Sequence, residues 1–182
     1  MRSQLKVYVD PKCSIIPNRV DGLYIDLRNV DEISPSHIID SMKAVWIDPK
    51  STSKPAEVIA IINPEKPPRG LELIGSLWNL IVAIDLEHVR NIATLEIVQR
   101  FFRSPAVRID INDLRYSISL IALLVPDFTI IPRCSPNIIR DLKIYAGAST
   151  GEILVEGCSE KELEDIMYLV SGIIISSKHI TY

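Results

Sequence analysis

The sequence predicts an α/β fold: a mostly parallel sheet with helices on both faces, plus a C-terminal ββα unit at the edge. Three observations carry that expectation. Val58–Ile62 and Leu80–Ile84 are continuously apolar, as strands are when both of their faces are covered. Helical periodicity fills the intervals between these and two later strand-like runs, Val107–Ile111 and Phe128–Ile131, which is the order of βαβ units. Beyond residue 142 the rhythm changes to two short β-rich runs around a Ser-Thr-Gly turn, followed by a capped helix.

Taken in order, Gln4–Val9 and Gly22–Leu27 alternate in polarity and are expected to pair as a loose hairpin. Ser34-Pro35 opens a helix, with Ser as N-cap and Pro at the first helical position. Ile38, Met42 and Val45 continue it at helical spacing until Asp48-Pro49. Lys50–Pro55 reads as a loop. The strand at Val58–Ile62 closes on Asn63-Pro64, and a short helix, Leu71–Trp78, precedes the strand that ends at Asp85. Glu87–Arg103 is a long helix, apolar on two sides, and a further helix runs from Asn112 or Asp113 through Val125. Leu142–Ala146 and Ile153–Glu156 are expected to form a hairpin. Ser159 and Glu162 then form a capping box for the last helix.

A chain of 182 residues fits one domain, 1–182, with a parallel core over 57–132 and the ββα unit over 142–176. Apolar residues make up 47%, which excludes a disordered chain, and the formal net charge of −3 leaves no global basic field to hold nucleic acid. Gln occurs only at Gln4 and Gln99, a bias that suits a thermophile avoiding labile amides. Cys13, Cys134 and Cys158 are odd in number and widely spaced, with neither a CxxC pair nor a disulfide framework among them. A reducing, cytoplasmic setting is expected on that ground. The apolar runs are too short to span a bilayer, so no membrane association is expected.

Four segments share one local pattern, YID at Tyr24–Asp26, WID at Trp46–Asp48, AID at Ala83–Asp85 and RID at Arg108–Asp110. Ligands bind beyond the carboxyl ends of strands in parallel sheets, and aspartates there can gather hard cations. Asp85, joined by Asp48, is the candidate for such a site; the competing reading is that Asp85 caps the helix that follows. Of the histidines, His37 reads as a surface residue and His179 lies in the tail. Only His88, beside Asp85 and Glu87, has company suited to a metal. No Ser or Cys nucleophile sits in a recognisable elbow, and no phosphate-cradling Gly loop carries its Lys-Ser/Thr.

The stretch INPEKPPRGLELIGSLWNL resembles the first metal-binding motif of the DHH phosphoesterases, the superfamily containing the RecJ nuclease. Asn63-Pro64-Glu65 matches the opening of that motif and Leu73-Ile74-Gly75-Ser76 its close, with several residues inserted between. Ile84-Asp85-Leu86-Glu87-His88 resembles its Asp-His-His. A small pair such as Gly75-Ser76 would let the helix sit close to the sheet. The resemblance covers about thirty residues and is incomplete, because the Asp-x-Asp pair is missing and Leu86 stands where the first His should be.

Family enzymes hold two metals to activate water. Here Asp85, His88 and Glu65 are the surviving candidate ligands, which fall short of such a centre. The resemblance therefore implies an inactive relative without metal or other cofactor, of the RecJ-like kind that serves as a structural subunit in eukaryotic and archaeal DNA replication. A metal-dependent phosphoesterase using those three residues is the alternative. A second resemblance, of Leu142–Val170 to the hairpin-plus-helix half-repeat of TATA-binding protein, implies nucleic-acid binding, although the intercalating phenylalanines of that family are missing.

Arg90, Arg100, Arg103, Arg108 and Arg115 give the middle of the chain a basic tilt, while Glu152 through Asp165 is acidic. The expectation is a patch that docks other protein subunits, or touches the phosphate backbone of a nucleic acid. An ordinary solvated helix face with ion pairs is the bland counterpart.

Overall fold

In a computed structural model of the chain, residues 4–13, 17–38, 57–85, 106–109, 129–145 and 152–176 are described. They supply eight strands: β1 (Lys6–Val9), β2 (Gly22–Asp26), β3 (Glu57–Ile62), β4 (Asn79–Asp85), β5 (Ala106–Ile109), β6 (Thr129–Pro132), β7 (Leu154–Glu156) and β8 (Gly172–Ile175). Three helices accompany them, α1 (Leu71–Leu77), α2 (Pro136–Tyr145) and α3 (Glu160–Ile166). Residues 35–38 form a helical turn.

Every strand pairing is parallel, and the strands stand in the order β6-β5-β4-β3-β2-β1-β8-β7. The two ends of that order meet. Parallel bridges join Ile130 to Ile153 and Arg133 to Glu156, while the Ile130 N–H donates to the Glu152 carbonyl at 3.0 Å and the Cys134 N–H to the Glu156 carbonyl at 2.8 Å. Read around the ring, the strands follow one another in chain order. The architecture is an eight-stranded parallel sheet closed into a barrel, with β1 joined to β2 without a helix in the described part of their link.

The two faces of the sheet make different cores. One cluster takes residues from all eight strands and from no helix: Tyr8, Tyr24, Ile59, Ile81, Ala106, Ile131, Leu154 and Ile174 are among its members. It is the filling of the barrel. The alternate positions, such as Leu23, Val58, Val82, Val107, Ile130 and Val155, pack with Leu71 and Ile74 of α1, Ile138 and Leu142 of α2, and Ile166 of α3. This is the layer between sheet and helices, and the period of two in each strand generates both.

The α/β class and the parallel sheet hold, but several details of the sequence reading are corrected. Among the described residues the helices pack on one face of the sheet, and its closure covers the other. A strand buried on two sides looks equally apolar whether helices or the opposite wall of a barrel cover it. The expected ββα unit is absent, because residues 136–145 are helical and β7 lies parallel to β8. The hairpin behind the TATA-binding-protein resemblance is absent with it. β1 and β2 are parallel neighbours, not a hairpin. Gly75 provides no close approach either: a methyl there would meet only Leu80, at 3.6 Å. The helices expected from Glu87 and from Asn112 lie outside the described residues, as does the WID segment.

Local chemistry explains the ends of the described helices. Ser159 caps α3 through the full reciprocal box with Glu162. At Ser34 only one half of such a box is present, the His37 Nδ1 accepting the Ser34 N–H at 3.0 Å. Ser135 repeats the Ser-Pro signal before α2, its hydroxyl accepting the Ile138 N–H at 3.2 Å.

At the amino end of the barrel, Gly22 makes room for the Tyr8 ring. A Cβ at Gly22 would stand 2.5 Å from the Glu57 carbonyl oxygen and 2.7 Å from Tyr8 Cδ1. Gly22→Ala should therefore lower stability by about 1–3 kcal/mol through overpacking. Gly75→Ala, in the exposed part of α1, should raise it by about 0.5–1 kcal/mol through backbone entropy. Urea midpoints of the two variants check both signs.

Candidate functional site: the carboxyl mouth of the barrel

In each of five strands the inward-facing sequence ends on a polar or charged residue at or just past the carboxyl end. Tyr24 is followed by Asp26, Ala83 by Asp85, Ala106 by Arg108, Leu154 by Glu156 and Ile174 by Ser176. These positions gather at one end of the ring, the face where (β/α)8 barrels place their sites. Asp85 is fully buried, and Arg108, Glu156 and Ser176 are nearly so. Arg28, from the turn after β2, reaches in beside them.

The contacts form a chain. Asp85 Oδ2 accepts from Arg28 Nη1 at 2.5 Å and from Arg108 Nη1 at 3.2 Å. Arg28 also grips Asp26 with a fork, Nε to Oδ1 at 2.9 Å and Nη2 to Oδ2 at 2.7 Å. Arg108 Nε donates to Glu156 Oε2 at 3.1 Å. The Tyr24 hydroxyl donates to the same oxygen at 3.0 Å, and the Ser176 hydroxyl to Glu156 Oε1 at 3.3 Å. Two guanidiniums thus face three carboxylates, and the neutral hydroxyls of Tyr24 and Ser176 add hydrogen bonds to Glu156. Burial of such a set is tolerable only because its members pair and hydrogen-bond.

The protonation states follow from these contacts. The hydrogen-bonded Asp26 carboxylate holds the Arg28 guanidinium above its ordinary range, outweighing the opposing effect of burial. Burial pushes the Tyr24 phenol up, and the Glu156 carboxylate pushes it further. Tyr8 behaves in the same way at the opposite end of the barrel, where burial acts first and its hydrogen bond to Glu57 second. There Lys6 Nζ pairs with Glu57 at 3.4 Å, so a smaller polar cluster marks the amino end.

The residues singled out in the sequence are placed unevenly. Asp85 is at the mouth as expected, yet its Oδ2 accepts from two arginines. Arg108, expected in an exposed basic patch, is corrected to an inward position: it alternates with the outward-facing Val107 and Ile109 and is 3% exposed. Glu65 lies in the exposed turn after β3, its N–H donating to Asn63 Oδ1 at 3.0 Å. His88, Arg90, Arg100, Arg103 and Arg115 lie outside the described residues, as do Asp48 and Asp110. Among the described residues no group of three or more His, Cys, Asp or Glu is arranged to hold a metal ion.

Arg28, Tyr24, Glu156 and Ser176 escaped the sequence reading as members of a common site. Cys134 and Cys158 escaped it too, and the expectation of no disulfide is corrected. They are bonded, with Cα atoms 5.0 Å apart, because barrel closure sets the ends of β6 and β7 side by side. Cys13 is the free, buried cysteine among the three. No helix among the described residues is long and apolar enough to cross a membrane.

Comparisons with protein-family models, with curated proteins and with solved structures find no match to this chain.

The network makes two testable claims. Asp85→Ala leaves two guanidiniums without their shared acceptor inside the barrel and should cost about 3–5 kcal/mol of stability. Asp26→Ala, at the solvent edge, should cost about 1 kcal/mol or less. Chemical denaturation of the two variants measures the difference.

The tyrosines set the alkaline limit. Both phenols have folded-state values raised above their unfolded ones, so the unfolded chain loses these protons first as pH rises past about 10. Their contribution is complete below that pH and declines above it. Stability should therefore fall above about pH 10, with phenolate absorbance from Tyr8 and Tyr24 appearing only as the chain unfolds. Replacing both with Phe should flatten that decline in a stability–pH titration.

Proposed function

We propose that this chain is a non-catalytic binding module, a small barrel that works as a subunit of a larger assembly. The observation that carries the reading is the state of Asp85. It occupies the position where a barrel enzyme keeps a reactive carboxylate, yet it is fully buried and bridges Arg28 to Arg108. A carboxylate held by two guanidiniums is a poor general base and a poor cation ligand. On this reading the mouth is structural, and recognition belongs to Arg90, Arg100 and Arg103, outside the described residues, whose guanidiniums would offer an acidic protein or a phosphate backbone a set of bidentate donors.

The kinship with inactive DHH-type subunits of DNA replication or repair complexes belongs to the same proposal. Its support is one of position. β3 and β4 are neighbours with Ile62 level with Ile84, so Asn63 and Asp85, from the two motif fragments, emerge side by side. The second reading, a metal-dependent phosphoesterase using Asp85, His88 and Glu65, draws on the location of Asp85 at the carboxyl end of β4.

One pair of experiments separates them. Reversing charge at Arg100 and Arg103 should release a co-purifying partner from the native cell without changing the thermal midpoint. The unaltered protein should show no phosphodiesterase activity with Mn²⁺. Activity that disappears in Asp85→Asn, a variant shown to be folded by circular dichroism, would overturn the binding-module reading in favour of the enzyme.

A further inference from the structure

The seam between β6 and β7 is one of the two thinnest joins in the ring, with two paired positions like that between β1 and β2. Every other neighbouring pair shares a continuous ladder, whereas β6 and β7 are linked by two isolated bridges, at Ile130–Ile153 and Arg133–Glu156. The disulfide between Cys134 and Cys158 lies just past the second bridge, at the mouth. Its position ties it to the buried network, because Cys134 donates its N–H to the carbonyl of Glu156, and Glu156 anchors Arg108 and Tyr24. Both cysteines are only half-buried. A cleft of about 200 Å³ borders Cys158 and is lined also by Gly157, Leu163, Ile175 and Ser176. A reductant can approach from that side, and the carboxyl end of β7 has space in which to move.

We infer that the Cys134–Cys158 disulfide is a redox latch on barrel closure. Its reduction frees the carboxyl end of β7 and loosens the mouth network through Glu156. The reductant is a dithiol. Its thiolate attacks one sulfur to give a mixed disulfide, and its second thiol resolves that intermediate. Two electrons and two protons pass to the protein, the Cys134–Cys158 bond becomes two thiols, and the dithiol leaves as a cyclic disulfide. Closure of a loop spanning 24 residues of sequence separation makes the latch large enough to matter. The local opening equilibrium of the seam should change about tenfold or more between the two states.

The test is amide exchange by NMR on the full chain, oxidised and then reduced with dithiothreitol. The Ile130 and Cys134 amides, which donate across the seam, should exchange about 10-fold faster or more after reduction, while amides in the β3–β4 ladder change much less. Equal acceleration in every strand would mean a general staple and overturn the latch, as would unchanged seam rates. A Cys134→Ser/Cys158→Ser double variant should show the fast seam rates without reductant and no response to it. Should that variant fail to fold, thiol titration supplies the second measurement. Protein equilibrated with oxidised glutathione, dialysed and then denatured should expose one thiol, that of Cys13; three thiols would overturn the inference.

Discussion

Closure of the ring is the constraint on which the rest of this structure depends. Eight parallel strands joined edge to edge enclose a space just wide enough for side chains. Each inward position must therefore match the inward positions of its neighbours in size and charge. The pairing of Tyr8 with Gly22 meets the size requirement, since the ring of one occupies the volume that a side chain on the other would need. The pairing of Asp85 with Arg108 meets the charge requirement, because β4 and β5 are in register there. Neither pair is favourable by itself. A buried carboxylate is costly alone, and a glycine in a strand is weak alone; the geometry of the ring makes each a complement.

The polar layer at the mouth follows from the same constraint. A barrel filled wholly with apolar residues would leave the registers of its strands weakly distinguished, since one aliphatic layer resembles the next. Asp85 can reach both Arg28 and Arg108 only when β2, β4 and β5 hold their observed offsets, and Arg108 can reach Glu156 only when the ring is shut. Buried ion pairs contribute little net stability when compared with apolar replacements. Their effect here is on which arrangement is stable, because a slipped strand would leave a guanidinium or a carboxylate unpaired in the interior.

Much of this fold was legible in the sequence, and the losses have identifiable causes. β3 and β4 were read nearly to the residue, because five consecutive apolar residues between turn signals have few alternatives. The capping box at Ser159 and the Ser34-Pro35 helix start were equally plain, since capping depends on neighbours in the chain. The hairpin over 142–156 was a misreading of periodicity. The run Leu142–Ala146 is β-rich in composition, whereas Leu142 pairs at helical spacing with Ile138, and Ser135-Pro136 repeats the helix-start signal at Ser34-Pro35. The mouth was half visible. Asp26, Asp85 and Arg108 stood out within repeated tripeptides, but Glu156 and Ser176 look unremarkable until the sheet closes and brings β7 and β8 round to them. Closure leaves no local signature, and that is also why the proximity of Cys134 to Cys158 could not be read from their spacing.

The arrangement of charge bears on function through a competition. A site at the mouth of a barrel acts by offering its groups to a ligand, and the ligand must compete with whatever those groups already hold. At Asp85 the incumbents are two guanidiniums in a volume from which water is excluded, where charge-assisted hydrogen bonds are at their strongest. A cation or a substrate hydroxyl entering there would have to displace Arg28, whose other edge is forked onto Asp26. The seam between β6 and β7 is the place where that balance is most easily disturbed, because Glu156 holds Arg108 from a short strand with few bonds to its neighbour. Whatever loosens β7 weakens the hold on Arg108, and with it the hold on Asp85. The chemistry of the mouth and the mechanics of the ring are therefore one system, joined through a single glutamate.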